Sequence, residues 1–133
     1  MNKLCQIIYV SSMRTLMSEK ELADLLEIIR KNNVKHDITG MLLYRDGNVM
    51  QVIEGEQHRL EQLFTNIELD NRHVGIIKMF QKEIPHRDFG EWSMSYRNLS
   101  GQKIEGFSDF ISSGVFSEQE ISRAKKLLLS FRG

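Results

Sequence analysis

Three polar side chains, Tyr9, Asn33 and Gln51, stand where apolar residues are expected, and they offer one aromatic hydroxyl and two primary amides. Gln51 is the sharpest of the three. In the run Val49-Met50-Gln51-Val52-Ile53-Glu54, strand alternation puts Gln51 on the same face as Val49 and Ile53. A glutamine on a buried face must find partners for its amide or lose roughly 1 to 3 kcal/mol. A bound heteroaromatic ligand with ring nitrogens and carbonyls would supply them. Each residue also has a plain structural explanation. Tyr9 reads as a core tyrosine whose hydroxyl has one partner, Asn33 with Asn32 as a helix stop, and Gln51 as an edge-strand side chain bent to solvent.

Asp70-Asn71-Arg72-His73 gathers a carboxylate, a guanidinium and an imidazole in one short connection. Such a loop is either solvated or a set of contacts in which Asp70 and Arg72 fix the polar edges of a small molecule and His73 packs on its ring. Trp92 and Met94, two residues apart, read as neighbours on one strand face. Metal and nucleophile chemistry find little support. His36, His58, His73 and His86 fall in separate segments, Cys5 has no local activating signature, and neither a Walker-type nor a GxGxxG loop is present. Any phosphate on a ligand would have to be met by single side chains such as Arg30 or Lys31.

The elements that must position these residues follow from periodicity. Leu4 to Val10 reads as a first strand with Cys5, Ile7 and Tyr9 on one face. Ser18-Glu19-Lys20-Glu21 is a capping box, and Leu22, Leu25, Leu26 and Ile29 give an amphipathic helix predicted to end near Asn32-Asn33. Ile38 to Tyr44 and Val49 to Glu54 flank an Asp46-Gly47 hairpin turn. Leu60, Leu63, Phe64 and Ile67 mark a second helix after Gly55. Val74 to Ile84, closed by Pro85, reads as a fourth strand, and Trp92, Met94 and Tyr96 as a short fifth. The order βαββαββ is α+β and ferredoxin-like: an antiparallel sheet with two helices on one face. Two further helices are expected, one carrying Ile104, Phe107, Phe110 and Ile111, the other opening with Ser117-Glu118-Gln119-Glu120. They are expected to cover the open sheet face or to dock on a partner, which divides the chain into a core, 1–99, and an appendage, 100–133.

The 133 residues, 41% hydrophobic and 27% charged, fit one globular domain. Eighteen basic residues balance eighteen acidic ones, which argues against nucleic acid or an anionic membrane as partner. The single cysteine excludes an intramolecular disulfide. With no signal-peptide core at the N-terminus and no apolar run of membrane-spanning length, the expected location is cytoplasmic.

Taken together, Ile7-Ile8-Tyr9-Val10-Ser11, Asn32-Asn33 with Ile38-Thr39-Gly40, Gln51-Val52-Ile53-Glu54-Gly55, Asp70-Asn71-Arg72-His73 and Trp92-Ser93-Met94 resemble the BLUF domain, a flavin-binding blue-light sensor, over about residues 3 to 97. One departure is Val49, where the family commonly has phenylalanine. The resemblance implies a non-covalently bound flavin, FAD first and FMN or riboflavin as alternatives, between the two core helices. Leu25 and Ile67 would sandwich the ring, with Gln51 and Asn33 at its polar edge and Asn32, Asp70, Arg72 and His73 completing the contacts. It also implies that Tyr9 passes the excited ring an electron and then a proton through Gln51. The amide rearranges, and Trp92 and Met94 carry the change to the C-terminal helices. The implied protein is a short photoreceptor, not an enzyme, acting in trans on a downstream protein and as a homo-oligomer. The competing readings are a light-insensitive binding or scaffold module on the same frame and, less well supported, a small hydrolase.

Overall fold

A computed structural model of the protein describes residues 3–91, 93–101 and 117–131. Its elements in chain order are β1 (Leu4–Met13), α1 (Glu19–Lys35), β2 (Thr39–Arg45), β3 (Asn48–Glu56), α2 (Gln57–Leu69), β4 (His73–Glu83), β5 (Ser95–Asn98) and α3 (Glu118–Ser130). The five strands form one sheet in the order β4-β1-β3-β2-β5. The first four pair antiparallel, as a ferredoxin-like order requires. β5 departs from the expected all-antiparallel sheet. It runs parallel to β2, with Leu42 opposite Tyr96, because it reaches the sheet edge by a long connection rather than a hairpin.

Alternation along the strands divides the core into two layers. Cys5, Ile7, Tyr9, Leu42, Tyr44, Val49 and Ile53 face α1 and α2, where they meet Leu22, Leu26, Leu60 and Phe64. Ile8, Val10, Met41, Leu43, Met50 and Val52 face the other way and pack with Ala124 and Leu128 of α3. The last helix therefore covers the second sheet face. The helix expected around Ile104 to Ile111 lies outside the described residues, as does Trp92.

Local chemistry explains the boundaries. Ser18 and Glu21 form the full reciprocal capping box at the start of α1, and Ser117 accepts from the Glu120 amide at the start of α3. The β2–β3 hairpin turns on Asp46 and Gly47, both at positive φ (50° and 89°), the geometry of a two-residue type I′ turn. α1 runs on through Asn33 to Lys35 instead of stopping at the asparagine pair. Asn33 is 2% exposed, so its side chain serves the interior rather than a helix exit.

Candidate functional site: a polar chain beneath an interhelical slot

Tyr9 and Gln51 are direct cross-strand partners in the β1–β3 ladder, on the face that meets the helices. The Tyr9 hydroxyl donates to Gln51 Oε1, and Gln51 Nε2 donates to Met94 Sδ at 3.3 Å. Gln51 is only 4% exposed and sits on a central strand, which removes the reading of a solvent-bent edge residue. Burial pushes the Tyr9 phenol well above its ordinary pKa, and the Asp70 carboxylate adds to that shift. Its ring meets Phe64 edge-on at 5.6 Å between centroids.

Met94 is held from α1. Arg30 Nε donates to the Met94 carbonyl at 2.8 Å, and Asn33 Nδ2 donates to the Ser93 carbonyl at 2.7 Å. Met94 thus precedes β5 rather than lying within it, contrary to the strand read from Trp92 to Tyr96, because these carbonyls are turned toward helix side chains instead of a ladder. Arg30, read from sequence as a phosphate contact, is occupied as a clamp on this segment. Lys31 pairs with Glu27 across one helical turn at 3.6 Å.

Above the Tyr9–Gln51 pair, α1 and α2 leave a cavity of about 220 Å³. Leu25 and Ile29 from one helix and Leu63 and Ile67 from the other give it aliphatic walls, while Tyr9, Leu42, Val49 and Gln51 form its base. Asn32, Asn33, Asp70, Arg72 and His73 also line it. Leu25, Asn32, Asn33, Gln51, Ile67, Asp70, Arg72 and His73 therefore line one cavity, whereas Arg30 and Lys31 do not, and Met94 reaches it through Gln51. Met13, Met17, Tyr44 and Asn66 line it as well, and no motif in the sequence marks them. For Tyr44 the signal existed, since it shares strand parity with Leu42.

The polar rim has defined electrostatics. Arg72 grips Asp70 with Nη2 at 2.5 Å from Oδ2 and Nε at 3.0 Å from Oδ1, and this hydrogen bonding holds the Asp70 carboxyl down at about 2. Burial lowers the pKa of His73, whose Nδ1 lies 2.9 Å from Ser11 Oγ. Among the described residues no group of three or more His, Cys, Asp or Glu side chains could hold a metal ion. No helix among them is long and apolar enough to cross a membrane.

A slot with aliphatic walls, four primary amides, a guanidinium and an imidazole suits a flat ring system whose edge alternates carbonyls and nitrogens. The comparisons agree with that chemistry. Over residues 4–95 the chain matches the family described as BLUF, sensors of blue-light using FAD, and it belongs to that family. It is 28% identical over 96 residues to the blue light- and temperature-regulated antirepressor BluF of Escherichia coli, covering 72% of this chain and 24% of that protein. It is 32% identical over 88 residues to the photoactivated adenylate cyclase subunit alpha of Euglena gracilis, covering 66% of this chain and 9% of that protein. The chain thus spans a quarter or less of the length of these two relatives. Among solved structures, the ground state of BlsA superposes with a TM-score of 0.76 at 28% identity, over 95% of this chain and 87% of that one. The family's cofactor is a flavin, FAD, and its stimulus is blue light.

Proposed function

We propose that this protein is a blue-light photoreceptor in which Tyr9 and Gln51 form the photochemical relay and the interhelical slot holds the flavin. The single observation that carries the reading is the buried Tyr9–Gln51–Met94 chain directly beneath the slot. Leu25 and Ile67 would flank the ring, Asn32, Asn33 and Gln51 would meet polar edges, and Asp70, Arg72 and His73 would complete the rim. When bound, the flavin supplies the chromophore and, under blue light, a one-electron oxidant.

The chain's own residues do the rest. Tyr9 is the oxidisable group at the base of the slot, and its hydroxyl already donates to Gln51 Oε1, so the proton it sheds on oxidation has an acceptor in place. When electron and proton return, a rotated or tautomerised Gln51 amide presents its donor and acceptor the other way round, with no change in net charge. The thioether of Met94 is an acceptor without a donor, so it favours the arrangement that points Nε2 at it. That preference makes the observed orientation the resting one and the exchanged orientation the one that must relax. Met94 and Trp92 would pass the change toward the C-terminal segment, 100–133, which acts as the output element on the core, 1–99.

Output would be a contact with a separate protein, made by a sensor that is not itself an enzyme and that self-associates. Two relatives support an effector outside the sensor core, one named as an antirepressor and one as a cyclase subunit, each matched over only part of its length. The test is reconstitution of the full chain with FAD, FMN or riboflavin in turn. A yellow protein whose absorption shifts reversibly to the red under blue light supports the reading, and a colourless protein with all three flavins contradicts it.

A further inference from the structure

The β1–β3 ladder holds a second polar cross-strand pair three residues from the first. Gln6 is directly opposite Glu54, as Tyr9 is opposite Gln51, but the two pairs lie on opposite faces of the sheet. Gln6 and Glu54 are both 0% exposed on the face that α3 covers. The Glu54 carboxylate accepts from Gln6 Nε2 at 2.6 Å, from the Asp88 amide at 3.0 Å and from the Phe89 amide at 2.7 Å. The same Gln6 Nε2 lies 3.4 Å from Asp88 Oδ2, and that oxygen pairs with Lys125 Nζ of α3 at 3.2 Å. Gln6 Oε1 is buried without a hydrogen-bond partner.

A carboxylate without solvent, held by three donors, is costly to disturb, and its position is fixed by the strands and the 85–91 loop together. The orphaned Gln6 oxygen leaves that amide one bond short, so its orientation is held less firmly than that of the Glu54 carboxylate. We propose that Gln6 and Glu54 are positioning residues that link the Tyr9–Gln51 pair to α3 through the Asp88–Lys125 bridge. The ladder between β1 and β3 is the shared element. A change in how Gln51 meets Tyr9 alters the spacing of the strands that also carry Gln6 and Glu54, and the bridge hands that change to the helix. The linkage rests on Gln51 being the switching residue, and it crosses the sheet instead of running along β5. Being an equilibrium coupling, it works in both directions.

The experiment measures hydrogen–deuterium exchange of the Glu118–Ser130 amides in the flavin-loaded full chain, in the dark, for wild type, Gln51→Leu, and Gln51→Leu combined with Asp88→Asn or Lys125→Met. The expected result is a several-fold change in α3 exchange on Gln51→Leu that disappears when the bridge is also cut. Both bridge side chains are partly exposed, so these variants are expected to fold. Unchanged α3 exchange in Gln51→Leu overturns the linkage. A response of the same size with and without the bridge overturns it too, since the helix would then report only global stability. Absorbance of the same samples before and after blue light reports separately on photochemistry. A wild type without a reversible red shift sinks the sensor reading, while the dark exchange comparison still decides the linkage.

Discussion

Gln51 Nε2 donates to the sulfur of Met94, a residue 43 positions further along the chain that is held in place by two carbonyl contacts from α1. The helix that walls the slot thereby sets the partner of the amide at its base. This relationship separates the packing role of Met94 from its bonding role.

Met94→Leu tests that separation. Leucine keeps most of the volume in a fully buried site, so the denaturation midpoint should move by less than about 1.5 kcal/mol equivalent. Leucine offers Nε2 no acceptor, so the preference for the resting amide is lost. Dark recovery after illumination should slow several-fold, read as the decay of the red-shifted band. An unchanged recovery rate would mean that the sulfur contact is packing alone.

Gly40 tests how tightly β2 is set against the strand that carries Gln51. A Cβ there would lie 2.0 Å from the Val52 carbonyl oxygen and 3.2 Å from Ile53 Cα, both backbone atoms that have no room to yield. Gly40→Ala should therefore destabilise by about 3 kcal/mol or more. Gly75→Ala is the matched comparison. Its φ of 61° strains an alanine but its Cβ meets nothing within 4 Å, so its cost should be about 1 to 2 kcal/mol. Chemical denaturation of both variants checks the order, and equal midpoints would contradict it.

The fold was legible where the pattern was strong. Ser18 with Glu21, the Asp46-Gly47 turn and the parity of Val49, Gln51 and Ile53 each act through neighbours in sequence, and each appears as read. What was illegible depends on distant partners. Asn33 looks like a helix stop until Ser93, 60 residues away, supplies the carbonyl that makes it useful inside the helix. β5 runs parallel because its position is decided by the open edge of β2, which no local periodicity encodes. Glu54 belongs to the Gln51-to-Gly55 run, yet its burial among Gln6 and the 88–89 amides is not encoded in its strand alone.

Two groups at the rim predict how stability falls in acid. His73 is buried and has a pKa below its ordinary 6.5, so the unfolded chain takes up that proton first. Its contribution is complete above pH 6.5 and declines as pH falls from 6.5 toward the lowered folded value. Asp70, held at about 2 against an ordinary 3.8 by its hydrogen bonds to Arg72, contributes fully above pH 3.8 and loses that contribution as pH falls to about 2. The side chain of Arg72 is 53% exposed, so this second step should be the smaller and should shrink in salt. Urea midpoints measured from pH 7.5 to pH 2 should show both steps, with His73→Gln removing the first and Asp70→Asn the second. A single decline, unaltered by either substitution, would contradict the assignment.

A switch made by the buried Tyr9–Gln51 hydrogen bond is read most directly in the light-minus-dark absorption spectrum of the flavin-loaded Tyr9→Phe and Gln51→Leu variants. Both should still bind flavin, because the walls of the slot and the Asp70–Arg72–His73 rim are intact, and both should lose the reversible red shift that the wild type shows. A normal, reversible shift in either variant would show that this hydrogen bond is not the switch.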